Sequence, residues 1–156
     1  MTKRQNKVEV AVQYWTNLIK PHLQTEAKSL INNLESRGIK NVKYLENEKQ
    51  KVLENIDNKL KYFRIDLSEH IILNMPHWKF DLVQLSCVGT PIGALRLAME
   101  RAQIDPSYLD GKIIDMEITN QHIVVYNRKE NKRVILFGNK DFEEKKSYKK
   151  FTEREK

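Results

Sequence analysis

Asp115, Glu117 and His122 come nearest in this chain to a catalytic constellation. Asp115 and Glu117 lie two apart, so in a strand their side chains share one face. A two-residue hairpin loop at Thr119-Asn120 sets His122 directly opposite Glu117, with Tyr126 and Arg133 a row or two away. Asn tolerates the positive φ such a loop asks for. Carboxylates beside a histidine can bind a divalent metal or supply a general base. That reading is a metal-dependent, nuclease-like or hydrolytic enzyme. The spacing belongs to no recognised motif, and the plain alternative is a cross-strand contact on a partly solvated sheet face.

A second candidate is SCVGTPIG, Ser86 to Gly93. A strand there runs through a glycine turn into a helix start, with Thr90 as cap and Pro91 at the first helical position. Free backbone donors at that end attract an anion, and they favour a thiolate on Cys87. The alternative is a buried structural cysteine beside a normally capped helix. No phosphate-loop lysine or dinucleotide glycine pattern is present. His22, His70, His77 and His122 are dispersed and no HxxxH or CxxC spacing occurs, so neither a structural metal nor a cofactor is expected.

The third candidate is cationic. Segment 128–150 holds 9 basic and 4 acidic residues and supplies the nucleic-acid contacts expected here: Arg128, Lys129, Lys132, Lys140, Lys145, Lys146, Lys149 and Lys150. Asp141, Glu143 and Glu144 interrupt them, so a solvated charged helix is the competing interpretation. The whole chain is basic, net +7, which suits a polyanionic partner. The excess is spread out, with 13 basic and 9 acidic groups in residues 1–78 against 15 and 12 in the rest.

The elements that must position these residues follow from periodicity. Three β-branched runs between Gly111 and Gly138 predict strands at 112–118, 121–127 and 132–137, joined by the loop at 119–120 and a four-residue loop at 128–131. These lengths pair Met116 with Ile123 and Leu136, and Ile114 with Val125 and Val134; Ile118 extends the same apolar face. The opposite, mixed face carries Asp115-Val124-Ile135, Glu117-His122-Phe137 and Ile113-Tyr126-Arg133 as rows.

Upstream, Val8, Val12, Trp15, Ile19, Leu23, Ala27, Leu30 and Leu34 recur at three and four, predicting a helix over 5–37. Pro21 should kink or split it. Gly38 ends it, and Asn41 caps a second helix from about 42 to at least 62, with 73 as its furthest end. Leu53, Ile56, Leu60, Phe63 and Leu67 form its seam, and a short strand at 62–67 is the rival. Residues 79–86 read as a strand able to join the meander, 91–103 as a helix, and 139–156 as a final helix. The fold class is therefore α+β: a long N-terminal helical hairpin, a strand and helix, a three-stranded antiparallel meander, and a C-terminal helix. One domain of residues 1–156 is expected, with a hairpin subregion at 1–75 and a sheet-containing subregion at 79–156.

Helix 91–103, the meander and the lysine-rich segment GNKDFEEKKSYKKF follow one another as α-β-β-β-α. That order is similar to a double-stranded-RNA-binding domain over about the last 65 residues. The resemblance is topological, and it implies contact with an RNA helix through a lysine cluster at the second helix start.

No apolar run approaches the length of a membrane span, and the charged N-terminus is not a signal region. A lone cysteine excludes an internal disulfide framework and suits a reducing compartment, so a cytoplasmic location is expected. The leading expectation is a small basic binding protein without catalysis that docks to nucleic acid or to a protein partner, such as an accessory or inhibitory factor of a mobile element. The alternatives are the enzyme above and a structural homodimer built on the helical seam.

Overall fold

The structure, a computed structural model, describes residues 3–75 and 82–138. Two long helices come first, α1 (Lys3–Ser36) and α2 (Val42–Leu73). Gly38, at φ +69, takes the left-handed conformation that ends α1, and the Asn41 side chain accepts the Tyr44 N–H at 3.1 Å to start α2. Pro21 does not split α1, which runs unbroken through it. Packing of the flanking turns outweighs one lost backbone donor. The 62–67 strand alternative is also set aside, since α2 stays helical to Leu73. Its seam residues Leu60, Phe63 and Leu67 repeat at helical, not alternating, spacing.

The sheet has four strands rather than three: β1 (Val83–Val88), β2 (Ile113–Ile118), β3 (Ile123–Asn127) and β4 (Lys132–Phe137), in that spatial order and all antiparallel. Residues 83–86 of the segment expected as a strand at 79–86 do join the meander, pairing Leu85 with Met116, and the strand runs two residues further than expected, to Val88. Residues 79–81 and the helix expected over 139–156 lie outside the described residues. Between β1 and β2 the chain forms α3 (Gly93–Arg101) and a 3-10 turn at Pro106–Leu109, opened by Asp105 accepting the Ser107 N–H at 2.9 Å.

The hairpin and α3 cover one face of the sheet. Trp15, Ile19, Leu23, Phe63 and Leu67 meet Leu85, Leu95, Met99, Met116, Ile118 and Ile123 in one buried cluster. Truncating a fully buried aromatic such as Trp15 or Phe63 to Ala costs about 3–5 kcal/mol, so this cluster holds the helices on the sheet. The predicted seam is only partly buried. Val8 to Ala27 and Ile56 to Leu67 are covered, but Leu30 is 44% exposed and Leu53 46%. No residue from 28 to 55 is buried. Among the described residues the outer hairpin is thus an arm in which the two helices pack mainly on each other. Lys49 bridges Glu35 across it at 3.0 Å.

The meander register is the main correction. Thr119 N–H donates to His122 O at 2.9 Å, so the loop is Asn120-Gln121, one residue later than expected. Every β2–β3 partner then moves by two: Met116 faces Val125, Ile118 faces Ile123, and Glu117 faces Val124 instead of His122. A shift of two leaves each side chain on its own face, so the apolar pattern fits both registers equally well. Thr119 decides between them. Its hydroxyl accepts the N–H groups of Gln121 (3.3 Å) and His122 (3.2 Å), an arrangement that needs Thr at the first turn position. The φ > 0 asparagine is Asn131, at +53, in the other loop.

The four-residue loop at 128–131 and the β3–β4 pairs Val125–Val134 and Tyr126–Arg133 are as the spacing predicts. A bulge then places Phe137, not Leu136, opposite Ile123. Phe137 is thereby returned to the helix-covered face.

Candidate nucleic-acid interface

The mixed face of the sheet does not assemble the expected catalytic group. Asp115, Glu117 and His122 share the face, but His122 lies level with Thr119, four residues from Asp115. That is about 14 Å along the strand. His122 Nδ1 sits 3.1 Å from the Thr119 hydroxyl and the residue is buried, which makes it part of the turn. Among the described residues no group of three or more His, Cys, Asp or Glu converges in a way that would hold a metal ion.

Asp115 has a different partner. Its carboxylate pairs with Arg128 Nε; Asp115 is largely buried and Arg128 about half exposed. The Arg128 guanidinium also lies over the Tyr126 ring, 5.6 Å from its centroid, within cation–π range. The register produces this stack. Asp115 and Tyr126 are direct cross-strand partners, and Arg128 N–H closes the ladder on Ile113 O at 2.9 Å. In the register expected from the sequence Asp115 would face Val124, and the stack could not form.

Around this stack lies a cleft of about 250 Å³ lined by Tyr126, Asn127, Arg128, Asn131, Lys132 and Arg133. Two of the residues expected to touch nucleic acid, Arg128 and Lys132, therefore meet here. Lys129 is exposed on the same loop but does not line the cleft, while Lys140, Lys145, Lys146, Lys149 and Lys150 lie outside the described residues. Sequence reading missed Arg133 and Tyr126 as binding residues, because both had been placed beside the carboxylates. The signal that finds them is the four-residue loop, which brings positions 126–128 and 131–133 to the same end of the hairpin. Asn127 Oδ1 accepts the Glu130 N–H at 3.2 Å, which shapes the loop.

The other sequence candidates resolve as structure. Cys87 is fully buried and its thiol donates to Leu109 O at 3.3 Å. Burial pushes the thiol pKa up, opposite to the thiolate that the helix start suggested. The capping expectation also fails. Helix α3 starts two residues later than predicted, at Gly93, with Ile92 as cap and no side-chain cap bond. Pro91 bridges back to Cys87, and Thr90 Oγ1 instead accepts from Arg96 Nη1 at 3.1 Å.

A larger concavity of about 810 Å³ lies between the two helices and Phe137, bordered by Glu9, Val10, Gln13, Arg64 and Ser68. Its charges are of opposite sign, so it has no preference for a polyanion. A polar junction not anticipated from sequence ties the 3-10 turn to the hairpin. Tyr108 donates to Glu26 at 2.8 Å and stacks on His22, and Lys59 pairs with Glu26 at 3.4 Å. Desolvation, with the Glu26 bond second, pushes the Tyr108 pKa up to about 12.

Comparison with known proteins finds no family model, no curated sequence and no solved structure that matches this chain. The fold therefore places the chain in the α+β class and no more narrowly. No described helix is long and apolar enough to cross a membrane.

Proposed function

We propose that this chain is a nucleic-acid-binding protein whose contact surface is the 126–133 end of the β3–β4 hairpin. The observation that carries the reading is the convergence of Arg128, Lys132 and Arg133 with Tyr126 on one cleft. Cations neutralise phosphates and an aromatic offers a surface for bases, and a binding site of this kind needs both in reach of each other. The protein acts by docking rather than by catalysis, as an accessory or inhibitory factor in the cytoplasm.

Charge reversal tests it. Arg128→Glu with Lys132→Glu should abolish binding of a labelled oligonucleotide at low salt, measured by fluorescence anisotropy, while the circular dichroism spectrum stays unchanged. A wild-type protein that binds no nucleic acid even at low salt would leave a protein partner as the default. A second reading, self-association through the outer hairpin, draws on the exposure of Leu30 and Leu53 in a continuous seam. Sedimentation of Leu30→Glu with Leu53→Glu against wild type tests it: a dimer would become a monomer.

A further inference from the structure

We infer that the cleft selects single-stranded nucleic acid, with Arg128 serving as a stacking platform for one unpaired base. The inference rests on the proposed nucleic-acid reading and names its substrate class. Three features of the site lead to it.

The first is how Arg128 is held. A long cationic side chain that only neutralises phosphate stays mobile. Arg128 is instead fixed twice, by the largely buried Asp115 carboxylate at Nε and by the Tyr126 ring beneath it. Asp115 neutralises much of its charge, which is the wrong arrangement for a phosphate clamp. It is a suitable one for presenting a flat guanidinium plane. Bases stack on guanidinium planes as they do on aromatic rings, and only an unpaired base exposes its face to do so. A duplex offers edges and phosphates.

The second is size. A cleft of about 250 Å³ fits a nucleotide-sized group and not a helix. The third is the lining. Asn127 and Asn131 stand beside the platform, and Asn127 Nδ2 makes no hydrogen bond among the described residues. Such amides can meet the polar edge of a stacked base, while Lys132 and Arg133 take the flanking phosphates. With about 0.7 counterions released per single-strand phosphate, and Arg128 neutralised by Asp115, Lys132 and Arg133 give a salt slope of only about 1.4. The described cleft is therefore too weakly cationic to bind by charge alone, and stacking must supply the remainder.

The test compares three labelled probes of one length at low and moderate salt: a single-stranded thymidine oligomer, its duplex, and the same backbone carrying abasic sites. The expected result is that the single strand binds at least about tenfold more tightly than either other probe. Arg128→Lys keeps the charge and removes the plane. It should lower affinity for the single strand about 5- to 150-fold, the range for loss of one stacked base, with the salt slope unchanged. Lys132→Gln should instead lower the slope by about 0.7 on the single strands and about 0.9 on the duplex, weakening all three probes. Equal, salt-dependent binding of the intact and abasic strands, or an Arg128→Lys variant that binds like wild type, overturns the stacking inference and leaves the nucleic-acid reading intact. Tighter binding of the duplex overturns it in favour of the duplex contact implied by the topological resemblance. Absence of binding to every probe overturns both.

Discussion

Among the described residues, Lys7 stands in an environment that opposes its chemistry. It is buried on α1 at 5% exposure and makes no ion pair among the described residues, and desolvation lowers its pKa to about 8. Below pH 8 the native state carries the full cost of a buried charge. Between about 8 and the ordinary 10.5 the unfolded chain holds a proton that the native state has lost, so stability rises with pH. Tyr108 acts in the opposite sense. Its native pKa of about 12 lies above the ordinary 10.0, so its contribution is complete below pH 10 and is lost as pH climbs towards 12. Cys87, whose thiol burial pushes up from 9.0, acts in the same sense as Tyr108, so melting temperature should rise above about pH 8 and reach its maximum between about pH 9 and 10. In Lys7→Met the rise on the neutral side should vanish and the melting temperature at pH 7 should increase. A flat profile in wild type would show that the ammonium reaches water. Glu117 and His122 make a second test. As diagonal rather than direct partners, they should give a double-mutant coupling within about 0.5 kcal/mol of zero, whereas Thr119→Ala should cost about 1 kcal/mol by removing the hydroxyl that accepts the turn's N–H groups.

At the scale of elements, the β2–β3 turn is held from outside as well as from within. Gly138, just past β4, sits at φ +120, and a Cβ there would lie 2.8 Å from both Gln121 O and His122 Cβ. Gly138→Ala should therefore destabilise the protein by about 1–3 kcal/mol, from backbone strain together with the clash. Gly111→Ala, also at positive φ but with nothing near its Cβ, should cost less because it meets strain alone. Equal losses in urea titrations of the two variants would mean that the turn yields freely. The contact follows from the β3–β4 pairing, in which Phe137 opposite Ile123 carries Gly138 alongside His122.

At the scale of the whole molecule, stability is unevenly distributed. The buried cluster joins the inner hairpin, α3 and the sheet, and it stops at Ala27 and Ile56. Beyond Ala27, α1 continues to Ser36, about 14 Å at 1.5 Å per residue, packed on α2 among the described residues. Replacing residues 31–52 by a short flexible link should leave unfolding cooperative and the sheet signature in circular dichroism unchanged. Amide exchange in the intact protein should show early opening of the arm relative to Phe63 and Met116. Arm amides as protected as those of the cluster would require a partner covering Leu30 and Leu53, and would favour self-association.

Periodicity and caps determined the helices, because the spacing of Trp15, Ile19 and Leu23, or of Leu60, Phe63 and Leu67, is a local property of the chain. The same holds for the Asn41 cap and the two faces of each strand. The charge count along 128–150 made the candidate cations of the β3–β4 loop legible, at Arg128 and Lys132. Alternation could not choose among registers two residues apart, because they bury the same side chains. The folded structure makes that choice, through the Thr119 turn. With it went the candidate site: Glu117 and His122 separated, while Asp115, Tyr126 and Arg128 came together. Burial followed the same division. Sequence marked one seam from Val8 to Leu34, but only the part lying over the sheet is covered, since an apolar stripe becomes core only where another element meets it.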